Sequence, residues 1–533
     1  MTTHRTRPTS RLQDALGAMA VLGMLLGTPA AAEPVTIGIR GGADTMDPHF
    51  DSVGTTTSML RNIFDPLVSR DAALNPIPAL ATSWELIDDL TWEFQLREDV
   101  VFHDGSPFTA EDVVFTFERI PEVAGARGGR MLYMTGITDV VAVDSHKVRI
   151  HTSSPTPLLT RNLAQIFIIP TSTADASTDD FNAGQAAIGT GPYKLTEFVP
   201  RERLKLARHD DYWGKSQPWS EVTFLELGND QTRVAALLSG GVDMINAVPS
   251  VDIATLEADY SIALFSAPSV YIFQLYLDTV RDEAPGVRNN AGKPMPNPLK
   301  DQRVREAISL SVNRQAIIDR ILQGYGEIPT QVSTTGMFGT SANLPPLAYD
   351  PDQARALLAE AGYPDGFQMD LYCTSDRLPN DGDVCAALGG FFTRIGIETT
   401  VNTRPRTVYF PAFTAGEYGI SMSGWGSLSG ETSYILQSLA HTRDDEQRLG
   451  GSNNMRYSNP EVDELIMQAV VTMDDDTRAD LLARAMEIYV ADAGTIPVVN
   501  LYSIWAGRND KVVYEARSDD ETSLLDLTTA SVQ

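Results

Sequence analysis

The residue in this sequence best suited to bind an anion is an arginine between a predicted strand and a predicted helix. Arg377 lies in Cys373–Asp381, which reads CTSDRLPND. A guanidinium group is planar and can bond both oxygens of a carboxylate at once. We therefore predict that Arg377 binds a ligand carboxylate. The alternatives are a solvated loop arginine and an arginine paired with Asp376 or Asp381.

A tryptophan in a loop of small residues is the second candidate. The segment Ser423–Thr432 reads SGWGSLSGET and places Trp425 and Ser427 among glycine and serine. An indole gives a flat apolar wall beside exposed backbone donors, which is a common way to line a ligand pocket. The alternative is a tryptophan that packs into its own loop.

Two further positions are weaker candidates. Tyr271 and Phe273 alternate on a predicted strand, so their side chains share a face that either lines a cleft or packs in a core. Arg404 and Arg406 follow another predicted strand in the sequence TRPR, and one of them is a candidate pocket residue.

Metal and nucleophile chemistry are not indicated. The histidines after residue 32 form no HExxH motif and no compact cluster with cysteine. The nearest approach to a GxSxG motif is Gly426–Gly430, which has Leu428 at the nucleophile position. Acidic residues are too numerous for a glycosidase pair to be singled out. We expect a protein without catalysis, metal or cofactor, with a secreted hydrolase as the alternative from another class.

Residues 1–32 predict an export signal. Arg5, Arg7 and Arg11 begin it, Ala15–Gly27 is a short apolar run, and Ala30–Ala32 is a small-residue cleavage site. The apolar run is shorter than the about 20 residues that span a bilayer. No cysteine lies near the cleavage site, so we expect a free periplasmic protein and not a lipoprotein.

The chain is strongly acidic. It has 41 basic and 70 acidic side chains and a formal net charge of −29. Such a charge keeps a protein soluble and argues against nucleic acid or an anionic membrane as a partner.

The sequence contains two cysteines, Cys373 and Cys385. In an oxidising compartment they predict a disulfide bond, and the alternative is two isolated thiols. Their spacing is not that of a zinc site.

Strand and helix patterns alternate along a chain too long for one usual core, which predicts α/β architecture with at least two lobes. Thr109 and Asp112 form a capping box for a helix over Ala110–Glu118. An apolar stripe predicts one long helix over Arg303–Gln323. The segment Thr279–Leu299 is rich in proline, glycine and charge, and is the best candidate boundary between lobes.

Sequence blocks in a fixed order resemble family 5 of the extracellular solute-binding proteins of ABC importers. The first, Ser83–Glu118, combines predicted strands over Thr91–Leu96 and Val100–Phe102 with an Asp-Gly turn and the capped helix. The other blocks are Gly189–Tyr193 (GTGPY), Asp301–Arg314, Tyr349–Tyr363 and Tyr457–Asp463. With the turn Met46–His49 they extend over nearly all of the chain after the export signal.

The resemblance implies a type II periplasmic binding protein fold, with two α/β lobes joined by a two-strand hinge and an extra subdomain in lobe I. It places lobe I at residues 33–270, the subdomain at roughly 68–184, lobe II at 271–496 and a return to lobe I at 497–533. The chain would cross between lobes near Tyr271 and Pro497. A ligand held by both lobes then favours the closed state.

The implied function is capture of a short peptide or a peptide-like carboxylate, such as glutathione or an opine. The protein would act as a monomer and deliver this small solute to the permease and ATPase subunits of an importer. A nickel chelate or an oligosaccharide is the alternative ligand, and a periplasmic holder of unfolded peptides shares the fold.

The resemblance also implies roles for individual residues. Dipeptide-binding relatives have an arginine followed three residues later by asparagine, as at Arg377 and Asn380, and that arginine holds the peptide carboxylate. Peptide-binding relatives place an aspartate three residues after the tryptophan, where this chain has Leu428. Glutathione-binding relatives have Ser/Thr-Gly-Glu after it, as in Ser429–Glu431. Glu431 is thus the candidate for a ligand ammonium group, with a loop-capping carboxylate as the alternative.

Two residues within the family blocks are expected to be structural. His103 lies in a block that relatives with unrelated ligands share, so we expect it to make structural hydrogen bonds. The same is expected of Asp47 in the first-lobe turn.

Overall fold

A computed structural model describes residues 33–126 and 129–530, and the predicted export signal lies outside these ranges. The strands are β1 (Val35–Ile39), β2 (Val68–Arg70), β3 (Pro76–Pro78), β4 (Ala81–Asp88), β5 (Thr91–Leu96), β6 (Ile137–Asp144), β7 (Lys147–Thr152), β8 (Tyr193–Val199), β9 (Arg203–Arg208), β10 (Glu221–Glu226), β11 (Met244–Ile245), β12 (Ile262–Leu277), β13 (Val287–Arg288), β14 (Gly326–Glu327), β15 (Phe367–Thr374), β16 (Ile397–Arg404), β17 (Ile420–Trp425), β18 (Thr495–Arg508), β19 (Val512–Tyr514) and β20 (Leu527–Thr529). The α-helices are α1 (Gly54–Leu60), α2 (Ala110–Arg119), α3 (Leu159–Leu163), α4 (Thr178–Asn182), α5 (Asp230–Leu238), α6 (Ile253–Glu257), α7 (Gln302–Ser311), α8 (Arg314–Arg320), α9 (Pro351–Glu360), α10 (Asp381–Arg394), α11 (Arg406–Thr414), α12 (Ser433–Ile435), α13 (Pro460–Ala469) and α14 (Asp475–Ala491).

Two long strands connect the halves of the molecule. The main sheet has the order β13-β15-β17-β12-β18-β11-β1-β10-β9-β8, with β14 beside β18 and β16 beside β15. In its centre β12 and β18 pair antiparallel, from Ile262 opposite Arg508 to Tyr276 opposite Thr495. The register shifts between Pro268 and Ile272, which is where the chain was predicted to cross. This pair is the two-strand connection that the fold requires.

Separate hydrophobic cores lie on the two sides of this connection. One contains Leu371 and is formed by β15, β17 and the second half of β12 with helices α7 to α10. Another contains Phe224 and is formed by β1 and β8 to β10, and it includes residues of the C-terminal segment such as Trp505. A third contains Phe94 and belongs to the four-stranded sheet β4-β5-β7-β6 with α2. These cores correspond to lobe II, lobe I and the extra subdomain, while the exact boundaries stay predictions because β12 and β18 run through the crossing.

The turn and helix of the first family block form as predicted. Gly105 has φ +86°, the left-handed backbone expected at the Asp-Gly turn. The backbone N–H of Thr109 donates to Asp112 Oδ2 at 2.9 Å, and α2 begins at the next residue. The strand predicted over Val100–Phe102 is wrong. Only an isolated bridge from Val101 to Pro107 occurs there, and a proline cannot donate a further backbone hydrogen bond.

The single long helix predicted over Arg303–Gln323 is also wrong. It is divided into α7 and α8, because Val312 has an extended backbone with ψ 109°. Asn313 then caps α8 by accepting a hydrogen bond from the backbone N–H of Ala316 at 2.9 Å. An asparagine directly before a helical segment is an N-cap signal, which the apolar stripe obscured.

The disulfide prediction is confirmed. Cys373 at the end of β15 is bonded to Cys385 in α10, with their Cα atoms 6.2 Å apart. The bond closes the segment that contains Arg377. None of the helices in the described parts of the chain is long and apolar enough to cross a bilayer.

The C-terminal segment is held on lobe I by a buried group of charges. Arg61 and Arg70 bind Glu521 at 2.9 and 2.5 Å, and Arg70 and Arg517 bind Asp519 at 3.1 and 2.9 Å. Burial acts to raise the pKa of the Asp519 carboxyl, but Arg517 and Arg70 hold it well below its ordinary value. This carboxylate therefore stabilises the fold only while it is ionised.

Replacement of Asp519 should lower stability in a pH-dependent way. Because its pKa is lower in the folded than in the unfolded protein, the Asp519 carboxylate stabilises the fold fully at pH values above its unfolded pKa of about 3.9. This contribution is lost as the pH falls below that value. We expect Asp519→Asn to lower the free energy of unfolding by about 2–3 kcal/mol at pH 7. In urea titrations the difference in unfolding free energy between wild type and Asp519→Asn should become smaller below about pH 4. As a control, Asp510→Asn, at an exposed position, should have nearly the unfolding free energy of wild type. A difference that stayed constant with pH would contradict this role of Asp519.

Candidate functional site

Arg377 lies in the loop between β15 and α10 and has no ion-pair partner in the described residues. Its Nε donates to the carbonyl of Gly424 at 3.2 Å, and its guanidinium carbon lies 5.1 Å from the centre of the Phe410 ring. The carboxylate of Asp381 accepts from the backbone N–H of Arg377 and not from its side chain. Asp376 accepts from the backbone N–H of Arg406. The alternative, an ion pair of the Arg377 side chain with either aspartate, is therefore not formed. The side chain is held at one edge, and its charge is unmatched in the described part of the chain.

Trp425 ends strand β17 next to the crossing. It lies opposite Ile272 of β12, and its ring stacks on Tyr434 with centroids 6.0 Å apart and an interplanar angle of 15°. Trp425 is half-buried, whereas Tyr434 is 45% exposed. Within the described chain the indole Nε1 is buried without a hydrogen-bond partner. The two rings make an aromatic wall with an unused donor, as a pocket wall would have.

Tyr271 and Phe273 are placed differently. Phe273 is fully buried in the lobe II core, which is the core alternative. Tyr271 is half-buried at the edge of that core. Burial raises the pKa of the Tyr271 hydroxyl; nearby Asp520 raises it further and Arg377 acts in the opposite sense. Tyr271 is thus near the carboxylates of Asp520 and Asp519 and the guanidinium group of Arg377.

Asn380 and Arg404 lie at the edges of the site. Asn380 has φ +60°, and its Oδ1 accepts a hydrogen bond from the Ser250 hydroxyl at 2.8 Å. Ser250 belongs to the lobe I side, so Asn380 takes part in a contact between lobes. Arg404 ends the edge strand β16 and is exposed, and its carbonyl accepts from the backbone N–H of Ser375 at 2.9 Å. Both assignments to a ligand stay predictions.

Glu431 lies in an inter-lobe clamp, a name we use for Arg161, Glu431 and Arg478. The carboxylate of Glu431 is fully buried and binds Arg478 from α14 and, at 3.4 Å, Nε of Arg161 from the subdomain. Although burial acts to lower it, Glu431 holds the pKa of Arg478 above its ordinary value, whereas burial lowers that of Arg161. Arg478 is therefore the principal partner. The contact of Glu431 with a ligand ammonium stays a prediction, and the two arginines already match its charge.

The rest of the tryptophan loop is also held between the lobes. Arg70 donates to the carbonyl of Leu428 at 2.8 Å, and Arg161 donates to that of Ser429 at 3.1 Å. Ser427 is fully buried, and its hydroxyl lies 2.7 Å from that of Ser429. The loop thus meets lobe I through its backbone. Sequence reasoning missed Arg70, Arg161 and Arg478, because nothing in their local sequence indicates partners that are 358, 268 and 47 residues away in the chain.

The residues expected to be structural are structural. His103 Nε2 lies 3.0 Å from the carbonyl of Gly191, and its Nδ1 is 3.2 Å from the backbone nitrogen of Gly189, so it binds the GTGPY turn. Burial lowers the pKa of His103 to about 3. Asp47 is buried and binds Arg119 at 2.8 Å. In residues 33–126 and 129–530, no group of three or more His, Cys, Asp or Glu side chains is placed to hold a metal ion.

A comparison with family models decides what kind of protein has this site. The model described as bacterial extracellular solute-binding proteins, family 5 middle, matches residues 75–447. This chain belongs to that family. It is therefore a solute-binding protein of an ABC importer, and family 5 proteins of this kind bind peptides, glutathione or nickel chelates.

Relatives of the family 5 protein match over most of their length. It is 27% identical over 495 residues to the glutathione-binding protein GsiB of Shigella dysenteriae, with 91% of this chain and 93% of the relative covered. It is 26% identical over 501 residues to the dipeptide-binding protein of Escherichia coli, with coverages of 88% and 90%. The heme-binding protein A of Haemophilus influenzae is 26% identical over 449 residues, with coverages of 79% and 78%.

Solved structures share the fold. HbpA2 from Haemophilus parasuis superposes with a TM-score of 0.80 at 23% identity, covering 93% of this chain and all of that one. DppA from Helicobacter pylori in complex with the peptide STSA superposes with a TM-score of 0.70 at 23% identity, covering 93% and 98%. These likenesses establish the type II periplasmic binding protein fold of this family member.

Proposed function

We propose that this protein captures a short peptide or a peptide-like carboxylate, of the glutathione or opine type, and delivers it as a monomer to the permease and ATPase of its importer. The observation that carries the proposal is the guanidinium group of Arg377, which has no counter-ion among the described residues and lies in the loop that follows β15, the strand beside β17. The names of the relatives, which include glutathione and dipeptide binders, agree with a ligand of this class.

The surroundings of Arg377 suit a carboxylate. Its Nε donates a hydrogen bond to the Gly424 carbonyl, and the face of its guanidinium group lies over the Phe410 ring. One edge of the guanidinium group is therefore fixed, and its two terminal nitrogens remain for a ligand. A side chain that is ordered before binding loses less conformational entropy on binding. The aromatic wall of Trp425 and Tyr434 then covers the apolar part of the ligand.

We further propose that the mature protein is free in the periplasm and begins at Glu33. This rests on the predicted export signal and on the lack of a cysteine near its cleavage site. N-terminal sequencing of the protein from a periplasmic extract tests it. A start at Met1 or a lipid-modified protein would contradict the proposal.

Ligand binding should close the protein without turnover. Since the ligand contacts both lobes only in the closed state, adding it should shift the population toward that state. We expect small-angle scattering to show a smaller radius of gyration with glutathione or a dipeptide, and mass spectrometry to recover the ligand unchanged. The control is the same titration with a free sugar.

Two results would change the conclusion. Closure with a nickel–histidine chelate or an oligosaccharide, and not with any peptide, would replace the ligand class and keep the receptor function. Steady formation of a product from a peptide, ester or glycoside would make the protein an enzyme.

A further inference from the structure

An acidic side chain at the hinge has no counter-ion in the part of the chain that the structure describes. Asp520 lies in the segment between β19 and β20. Its Oδ1 accepts hydrogen bonds from the hydroxyls of Ser503 on β18 and Ser269 on β12, the latter at 3.5 Å. Among the described residues, no lysine, arginine or histidine nitrogen forms an ion pair with it within 4.0 Å. Both hinge strands therefore hold this carboxylate, and its charge is unmatched.

The position of Asp520 is fixed by the crossing of the chain. Ser269 lies at the register shift of β12, two residues before Tyr271. The backbone N–H of Val270 donates to the carbonyl of Ser518 at 2.9 Å, which ties the C-terminal segment to this point. Asp520, Asp519 and Arg377 are the charged neighbours of Tyr271, and Asp519 is already bound by Arg70 and Arg517. The tyrosine is thus near a carboxylate from the lobe I side and a guanidinium group from lobe II.

The protein around Asp520 perturbs its carboxyl group without enclosing it. Burial raises the pKa of the Asp520 carboxyl to about 6; Asp519 acts in the same sense, while Ser503, Ser269 and Arg40 act to lower it. The residue is nevertheless accessible to solvent. A ligand cation can therefore reach this carboxylate from solvent.

The backbone of Asp520 also constrains its direction. Its φ is +62°, a left-handed conformation that aspartate and asparagine adopt more readily than most other residues. Together with the two serine hydroxyls, this conformation holds the carboxylate at the hinge. Asparagine can replace it without a change of backbone or of hydrogen-bond acceptor.

The other candidate acid is already neutralised. Glu431 is bound by Arg478 and Arg161 in the inter-lobe clamp, and Leu428 occupies the position where peptide-binding relatives have an aspartate. A ligand ammonium group enclosed in the cleft needs a carboxylate partner, because an unpaired buried charge is costly. Asp520 has the charge available to provide it.

We propose that Asp520 binds the ammonium group of a zwitterionic ligand whose carboxylate is bound by Arg377, with Tyr271 between the two charges. This inference rests on the proposed function and adds to it the charge pattern of the ligand: a cationic amine toward the hinge and lobe I, and an anionic carboxylate toward lobe II. It also makes Asp520 a determinant of specificity.

The test compares free-amine and N-acetylated probes by calorimetry at pH 7.5. Glutathione and a set of dipeptides are titrated into wild type and Asp520→Asn, and so are their N-acetylated forms. We expect Asp520→Asn to weaken binding of the free amines by about tenfold or more and to leave the acetylated forms unchanged. The matched control is Asp282→Asn, which removes the same charge from a carboxylate that is 99% exposed.

The pH dependence of wild type gives a second readout that needs no variant. A ligand cation favours the ionised carboxylate, so protonation of Asp520 competes with binding. Below about pH 6 the affinity of wild type for a free amine should fall by up to about tenfold per pH unit. Asp519, Arg40 and Tyr271 face the same group, so Asp520→Asn is needed to assign the change, and its profile should be flat from pH 7.5 to 5.

The outcomes separate the inference from the proposed function. If wild type binds none of the peptides but closes on a nickel chelate or an oligosaccharide, the proposed ligand class fails and this inference fails with it. If wild type binds peptides and either Asp520→Asn binds them equally well or acetylation has no effect, the function stands and the assignment of Asp520 is wrong. If Asp520→Asn fails to fold, the acetylated probes and the wild-type pH profile decide the question.

Discussion

Replacement of Arg377 by alanine is expected to weaken binding of carboxylate ligands more than any other single change in the cleft. Without the guanidinium group, a ligand carboxylate in the closed cleft has no cation beside it. Breaking such a pair costs on the order of 3–5 kcal/mol, which is more than a hundredfold in affinity. Calorimetry with glutathione or the best-bound dipeptide measures this loss. Thermal melting should change little, because Arg377 makes one side-chain hydrogen bond, to a carbonyl.

A matched arginine controls for the change in net charge. Arg320 ends α8 on lobe II and is exposed, so Arg320→Ala should bind ligands as wild type does. Arg377→Lys should recover only part of the loss, since an ammonium group cannot bind two carboxylate oxygens in a fork. A loss below about 0.5 kcal/mol in Arg377→Ala would identify this residue as a solvated loop arginine.

Replacement of Glu431 by glutamine is expected to lower the free energy of unfolding by an amount similar to the binding free energy lost in Arg377→Ala. The change leaves Arg161 buried without its counter-ion and leaves Arg478 with the exposed Asp475 alone, and removal of one partner from a buried ion pair costs about 3–5 kcal/mol. Urea titration should show this as a lower free energy of unfolding. Arg161→Gln should cost less, because Arg161 is the more distant partner at 3.4 Å.

The same variant tests the sequence prediction for Glu431. If Glu431→Gln keeps the stability of wild type and loses affinity for free amines but not for acetylated peptides, then Glu431 contacts the ligand. That result would also weaken the assignment of Asp520. If instead the variant is less stable and its affinities for free amines and for acetylated peptides change equally, then Glu431 acts in the clamp alone.

The structural features that the sequence predicted correctly depend either on neighbouring residues or on the order of the family motifs along the chain. The capping box at Thr109 and the turn at Gly105 depend on neighbouring residues, and both form. The disulfide depends on compartment and on a count of two cysteines. The family blocks give the fold because their order along the chain is itself information about topology.

The site was predicted less well because it depends on packing between distant segments. The sequence correctly placed Tyr271 and Phe273 on the same side of one strand. No local pattern indicates that the Phe273 ring enters the lobe II core while Tyr271 stays at its edge. The clamp joins Glu431 to arginines from the subdomain and from α14. Asp520 stands in the acidic run Ser518–Glu521, where nothing distinguishes one carboxylate from the next until the hinge strands are in place.

The anchoring of the C-terminal segment also determines how much of lobe I can fold before synthesis of the chain is complete. Arg61 meets Glu521 460 residues later in the chain, and strand β18 enters the centre of the sheet only after most of the polypeptide has been made. Contacts between such distant residues form slowly, because a long loop must close first. Lobe I therefore cannot acquire its final core while the nascent chain is still growing. If the protein is exported as proposed, lobe I still lacks part of its core when the export machinery receives the growing chain.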